Sequence, residues 1–384
     1  MCAAAENGAM VDPHGENIEI VWNRRARPVP EGLSPLATWN HVRPDFVESE
    51  AQQRAAFLAS VAGASMYAVH VTNAQTLDVL LRQRERYPHI FLETCPHYLT
   101  HDIGSELGPV AKVNPPLRTA ADREALWQAI ARGDINVIGS DHVPRHRSAK
   151  VNDIWKASAG FPGLETLLPV LLSEGHHRRG IPLARLVAAV TSTPARTFGL
   201  WPRKGAIAIG ADADFAVVDL DGRHTVRAAH QRSGAEYTIY EGWELTGAVE
   251  HTVVRGRFVV REREVVAEGG GGRFQPRHRS GAAAQGDAPA PAPARPCSSS
   301  TCNTAPSAMS PSRSLTRCAS TIRPAVARRV GRRWRTSRRC WPRFASAGCR
   351  SSTPTSRPSR PTTRAAWPPR CPRSWTSRRR GTGS

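Results

Sequence analysis

The sequence predicts an α/β chain built on a parallel sheet, followed by a small all-β segment and a disordered tail. Three observations carry this expectation. Apolar strand-like runs alternate with helical patterns three times between Met66 and Ile138, the signature of βα units. From Lys204 the texture changes to short alternating strands joined by Gly and Asp turns. After Gly269–Gly272 all hydrophobic periodicity stops.

Charge divides the chain in the same way. Of the 53 Lys and Arg residues, 24 are Arg residues of positions 273–384, where Asp287 is the sole acid; the body keeps 29 basic and 31 acidic groups. The net charge of +21 therefore belongs to the tail, and the body is near neutral. Cys2 and Cys95 lie in the body and six cysteines in the tail, with no C-x2-C pair and no secretory leader pattern. No apolar run approaches the roughly 20 residues of a membrane span. The body is expected to be cytoplasmic and free of a disulfide framework.

Taken in order, Met1–Met10 enter as though in the middle of a strand and its loop, and 12–35, rich in Pro, Gly and Arg, read as a loop. A helical pattern over 48–62 closes at Gly63. Met66–Val71 form a strand ending at His70, and 74–87 the helix after it. Ile90–Thr94 form the next strand, with Cys95–Leu99 as its exit loop. The loop KVNPPLR (112–118) leads into a helix over 121–132 and then into the apolar run Ile135–Ile138. That run delivers Gly139-Ser140-Asp141-His142-Val143-Pro144 to the strand's C-terminal mouth, where catalytic groups collect in an α/β barrel. A long loop to Gly163 precedes helices over 164–173 and 183–190, and Thr193-Pro194-Ala195 starts another. The runs KGAIAIGADADFAVVDLD and EHTVVRGRFVVREREVV supply the closing strands. Three regions follow: 1–203, 204–268 and 269–384.

His70 and Asp141 both end predicted strands, so in a barrel both point into one mouth. A His nitrogen and a carboxylate oxygen suit zinc, and a metal-bound Asp beside a water can take its proton. Taken singly, His70 reads equally as a hydrogen-bonded core histidine and Asp141 as a turn cap. Cys95 before Pro96 reads as packing. The pairs His97/His101 and His142/His146 have helical spacing, but Pro96 and Pro144 argue for loops. Glu165 begins a helix, and Asp212 and Asp214 read as turn residues.

The ordered segments YAVHV, ETCPHYL, KVNPPLR, IGSDHVP, AGFPGLE, KGAIAIGADADFAVVD and YEGWELTG resemble the cyclic amidohydrolases, the hydantoinases or dihydropyrimidinases, allantoinases and dihydroorotases. The resemblance runs from about Ala4 to Val266. It implies about the second half of a TIM-like (β/α)8 barrel followed by a β-sandwich segment. It also implies two divalent metals per complete subunit, usually zinc, and a homotetramer or dimer. By this resemblance Asp141 ligates one metal and moves the proton, and His70 ligates the other. Asn114, Ala159 and Gly160 contact the ring amide of a small cyclic substrate, and His142 supports the groups around Asp141.

Departures accompany the matches. The family's His-x-His pair and bridging carboxylated lysine have no counterpart in the chain, and AAENG at 4–8 resembles the family's His-Ala-Glu-Asn-Gly with Ala4 in the histidine's place. Four usual ligands are thus expected to be missing, with the chain beginning partway round the barrel and activity impaired or lost. The Asp141 strand and the closing segment favour the hydantoinase or dihydropyrimidinase type over allantoinase. Arg145 stands where a dihydroorotase has a second histidine. A non-catalytic remnant serving as an interaction protein is the reading of another class.

In the tail, Trp334, Trp341, Trp367 and Trp375 among arginines suggest nucleic-acid stacking, but Arg without Lys looks like codon bias. Out-of-frame translation after about Gly272, or a disordered natural tail, is favoured over nucleic-acid binding. Limited proteolysis is expected to remove residues after about Gly269 quickly and leave a body fragment, seen by mass spectrometry. A tail as resistant as the body contradicts both readings.

Overall fold

The computed structural model describes residues 1–278. The expectations for 279–384, including the six tail cysteines and the tryptophans, lie outside the described residues. No described helix is long and apolar enough to cross a membrane.

The chain opens with α1 (Cys2–Glu6) and the two-residue β1 (Met10–Val11). The segment read as a loop over 12–35 contains a helix, α2 (Ile18–Arg25). Asn17 caps it by accepting from the Ile20 N–H at 3.4 Å, and Glu19 and Arg24 complement its dipole. The prolines that suggested a loop all fall outside it, at 13, 28, 30 and 35. Next come α3 (Pro35–Val42) and α4 (Asp45–Ala62), which stops at Gly63 in the left-handed conformation.

The parallel sheet continues with β2 (Ser65–Ala68), α5 (Ala74–Arg86) and β3 (Ile90–Thr94). Cys95–Leu99, expected as loop, instead lead into the short helix α6 (Pro96–Thr100) with Pro96 at its first turn, where no N–H is needed. Helix α7 (Ala120–Arg132) starts at a Thr119/Asp122 capping box and ends at left-handed Gly133. The last strand of this sheet, β4, is shorter than expected, Val137–Ile138. The order is β1-β2-β3-β4, all parallel, with Met10 opposite Ser65, Met66 opposite Ile90 and Glu93 opposite Val137. Met66, Leu92 and Ile138 from the sheet pack with Leu80, Leu126 and Trp127 from the helices in one buried core.

The helix expected over 164–173 begins three residues later, as α8 (Leu167–Val170), and widens into a π-helical turn over Leu171–His177. Helices α9 (Leu183–Val190) and α10 (Ser192–Thr197) follow. KGAIAIG forms no strand: Ile207 and Ile209 are exposed at 88% and 108%. Without a partner strand at that point their alternation has nothing to pack on. An antiparallel sheet, β5 (Phe215–Thr225), β6 (Glu244–Val254), β7 (Arg257–Arg261) and β8 (Glu264–Val265), closes the described chain.

A buried ionic network ties the first half together. Glu48 on α4 accepts from the Thr72 N–H (3.0 Å), the Thr72 hydroxyl, Asn73 Nδ2 (3.0 Å) and Arg118 Nη2 (3.0 Å). Arg118 also donates to Asn40 Oδ1 at 2.8 Å. Near the closing segment, His101 is buried, its Nε2 donates to the Ile239 carbonyl at 3.1 Å, and its ring stacks on Trp243 with centroids 5.1 Å apart.

Burial lowers the His101 pKa to about 4 from an ordinary 6.5. The unfolded ring therefore takes a proton that the folded ring refuses, so the stability present above about pH 6.5 is lost as pH falls toward 4. That difference is worth about 3 kcal/mol. Denaturant midpoints at pH 7.5 and 4.5 should differ less for His101→Phe than for the parent chain.

Candidate functional site

The C-terminal ends of β1, β2 and β4 carry the chemistry-bearing side chains. His70 follows β2 by two residues and holds a left-handed backbone, φ 41°; Asp141 follows β4 by three and has φ 43°. Non-glycine residues in this region are held there by their surroundings, typically at functional sites. Strand β1 leads in the same direction to His14.

His14 and His70 face each other. His14 Nδ1 lies 3.0 Å from His70 Nε2, with ring centroids 4.9 Å apart. Behind His14, its Nε2 donates to Glu16 Oε2 at 2.8 Å, and Glu16 pairs with Arg43. A carboxylate on the far nitrogen fixes ring orientation and makes Nδ1 an acceptor, the arrangement common behind metal-bound histidines. His70 is buried, and its own Nδ1 has no hydrogen-bond partner among the described residues. Burial first, and then the neighbouring His14, lower its pKa to about 4, so the ring stays neutral and able to ligate. Burial raises the Asp141 carboxyl to about 6, against the opposing pull of His14.

The predicted ring-binding segments meet each other. The Gly160 N–H donates to the Lys112 carbonyl at 2.9 Å, which joins the 112–118 loop to the 159–163 loop. Lys150 Nζ secures the joint through the Lys112 (3.3 Å) and Ser158 (2.8 Å) carbonyls. Asn114 Oδ1 is engaged by Trp39 Nε1 at 3.1 Å, and the Ala159 carbonyl by Arg145 Nε at 3.3 Å. His142 does not bond to Asp141: its Nδ1 accepts from the Gly163 (3.1 Å) and Leu164 (3.2 Å) N–H groups. These two donors leave the ring proton of neutral His142 on Nε2. Among the predicted residues, therefore, Asn114, Ala159 and Gly160 share one joint, and His142 links the Asp141 loop to it.

Two expectations are corrected here. The residue opposite His70 is His14; Ala4 lies in the short helix α1. The sequence signal was present, since His14-Gly15-Glu16-Asn17 keeps the histidine that AAENG lacks. Glycine at position 15 has a packing reason, because a Cβ there would stand 2.4 Å from the Gln52 side chain. The second correction concerns His97, which lies in α6 rather than a loop; it is buried with Nε2 unpartnered among the described residues. His142 and His146 do fall outside regular helix and strand.

A family model described as "Amidohydrolase family" matches residues 69–259. An L-hydantoinase of Paenarthrobacter aurescens is 35% identical over 272 residues, covering 70% of this chain and 59% of the relative. The chain belongs to the cyclic amidohydrolase family. An allantoinase of Rubrobacter xylanophilus is 37% identical over 277 residues, 71% of this chain and 61% of its own length. The crystal structure of a dihydropyrimidinase from Brevibacillus agri superposes with a TM-score of 0.68 at 32% identity, over 72% of this chain and 62% of that one. This cyclic amidohydrolase chain thus spans about three-fifths of the length of the relatives it matches.

The joint between the two loops is sterically tight. Gly160 has φ 97°, and a Cβ there would meet Val143 Cβ at 2.6 Å. In this amidohydrolase chain Gly160→Ala should lower stability by about 2 kcal/mol or more in chemical denaturation. Ala159→Gly next to it should change it by less than about 1 kcal/mol.

Proposed function

We propose that this chain carries one side of a (β/α)8 barrel and part of the metal centre of a hydrolase that opens a cyclic amide, of the hydantoinase or dihydropyrimidinase type. The observation that carries the reading is the His14–His70 pair, two nitrogens 3.0 Å apart at the ends of adjacent parallel strands. Two histidine nitrogens on one tetrahedral zinc lie about 3.3 Å apart, given bonds of about 2.0 Å. The Glu16 carboxylate behind His14 and the nearby Asp141 add oxygen groups suited to a divalent-metal environment.

The donor set is incomplete. Among the described residues no three His, Cys, Asp or Glu groups stand in metal-holding geometry, and the family's His-x-His pattern is absent from all 384 residues. With His14 in the position first given to Ala4, three of the usual ligands are missing rather than four.

His14 and His70 would hold one divalent metal and Asp141 the other, and the metals would supply an activated water and a polarised ring carbonyl. Asp141 would take the proton released in the attack and deliver it to the leaving ring nitrogen. The joined loops of Asn114, Ala159 and Gly160 orient the ring amide through backbone groups. His142 holds the Asp141 loop against the Gly163–Leu164 turn.

The allantoinase reading is the second one, favoured by the 37% identity to an allantoinase and by the ETCPHYL and NDIWKASAG segments. Assays of hydantoin, dihydrouracil, allantoin and dihydroorotate decide the substrate. The chain as it stands should bind zinc weakly and hydrolyse none of them measurably. Fused to the part of the Paenarthrobacter L-hydantoinase that it does not cover, it should hydrolyse a cyclic amide, and Asp141→Asn should then reduce turnover by at least about 10²-fold. His14→Ala should remove zinc from the fusion by elemental analysis, whereas Ala4→Gly should not. A fusion that retains zinc and turnover after His14→Ala overturns the assignment.

A further inference from the structure

Glu93 lies in β3, the strand between the two that deliver His70 and Asp141. Its Oε1 accepts the main-chain N–H of His70 at 3.2 Å, and its Oε2 accepts the Tyr67 hydroxyl at 2.7 Å. The same carboxylate packs on the other neighbour: a Cβ at Gly139 would stand 2.2 Å from Oε2 and 3.0 Å from Oε1. Gly139 is two residues before Asp141. One side chain therefore holds the turn bearing His70 from one side and fills the space beside the strand end bearing Asp141 on the other.

The main chain of β3 does the same work a step higher. The Val71 N–H donates to the Glu93 carbonyl at 2.7 Å, and the Gly139 N–H donates to the Thr94 carbonyl at 3.0 Å. These bonds set the strands' spacing, and the His70 N–H itself is left to the Glu93 carboxylate. A left-handed φ in a histidine costs on the order of 1–3 kcal/mol and persists only when the surroundings over-determine it. Within that turn, the Glu93 carboxylate is the acceptor that holds the His70 N–H in the strained conformation and so aims the ring at His14.

We propose that Glu93 is a positioning residue, which sets the separation of His70 from Asp141 by accepting the His70 main-chain N–H while packing against Gly139. Its carboxylate meets the His70 main-chain N–H rather than a ring nitrogen, and so acts through the backbone. The proposal rests on the functional reading above where it concerns metal affinity, and stands apart from it where it concerns the His14–His70 contact.

The test uses the full chain with four substitutions, Glu93→Gln, Glu93→Leu, Gly139→Ala and a core control, Leu92→Ala. In each, the His14–His70 ring contact is read by NMR without metal, and zinc affinity by competition with a chromophoric chelator. In Glu93→Gln the amide oxygen still accepts from His70 and the amide N–H donates to the Tyr67 oxygen, so both readouts should stay within about threefold of the parent. Glu93→Leu should lose the ring contact and weaken zinc by about 10- to 100-fold, the range seen when groups supporting metal ligands are removed. Gly139→Ala should do the same with Glu93 still present, because its methyl occupies the carboxylate's place; it carries the test if Glu93→Leu does not fold. Leu92→Ala should lower the denaturation midpoint and leave both readouts unchanged. Folded Glu93→Leu or Gly139→Ala protein with the parent's ring contact and zinc affinity overturns the proposal. A parent chain that binds no zinc, but whose ring contact still vanishes in Glu93→Leu, overturns the metal reading and leaves the positioning role standing.

Discussion

The buried Glu48–Arg118 pair is the constraint on which the site depends. Glu48 receives four donors from two separate parts of the chain: Thr72 and the α5-capping Asn73, in the turn just after His70, and Arg118 at the end of the Asn114 loop. Both side chains are almost wholly enclosed, at 1% exposure each. Removing one partner of such a pair strands a desolvated charge, typically at about 3–5 kcal/mol, whereas the intact network is satisfied on every side. Its value lies in geometry: α4, the His70 turn and the 112–118 loop can have only one relative placement if all four bonds are to form.

Around that anchor the strain is placed where the chemistry is. The turns after β2 and β4 hold His70 and Asp141 with left-handed backbones, while the strand between them bonds to the His70 N–H and to the Gly139 N–H. A parallel sheet directs its strand ends to one edge, and a sharp turn there swings the next side chain over that edge instead of into the helical layer. Desolvation then does the rest of the tuning. It keeps the His70 ring neutral and so able to ligate, and holds the Asp141 carboxyl near 6, suited to exchanging a proton near neutral pH.

The closing sheet is joined to the body at the widened helical turn. Gly247 of β6 sits so close to Leu172 that a Cβ would approach to 2.7 Å, and the Thr246 N–H donates to Ser173 Oγ at 3.2 Å. The π turn over Leu171–His177 shifts the helix register just where this contact is made. Glycine at 247, with φ 101°, lets the two backbones approach.

Elements governed by local chemistry were legible in the sequence. Strand β3 falls where its β-branched and aromatic run lies, α7 starts at its Thr119/Asp122 box and stops at Gly133, and α4 stops at Gly63, because caps and turns act within a few residues. The placement of His70 and Asp141 just beyond apolar strands was likewise legible, and the family itself is shown by the comparisons. What only the tertiary structure decided is long-range. Strand β1 has two residues and no pattern of its own, and its pairing with Ser65–Met66 is what brings His14 to His70. The tie of His142 to Gly163, and of Glu93 to the turn and strand end beside it, depends on which loops and strands become neighbours. Local propensity carries no information about such pairings, since they arise from packing between residues tens of positions apart.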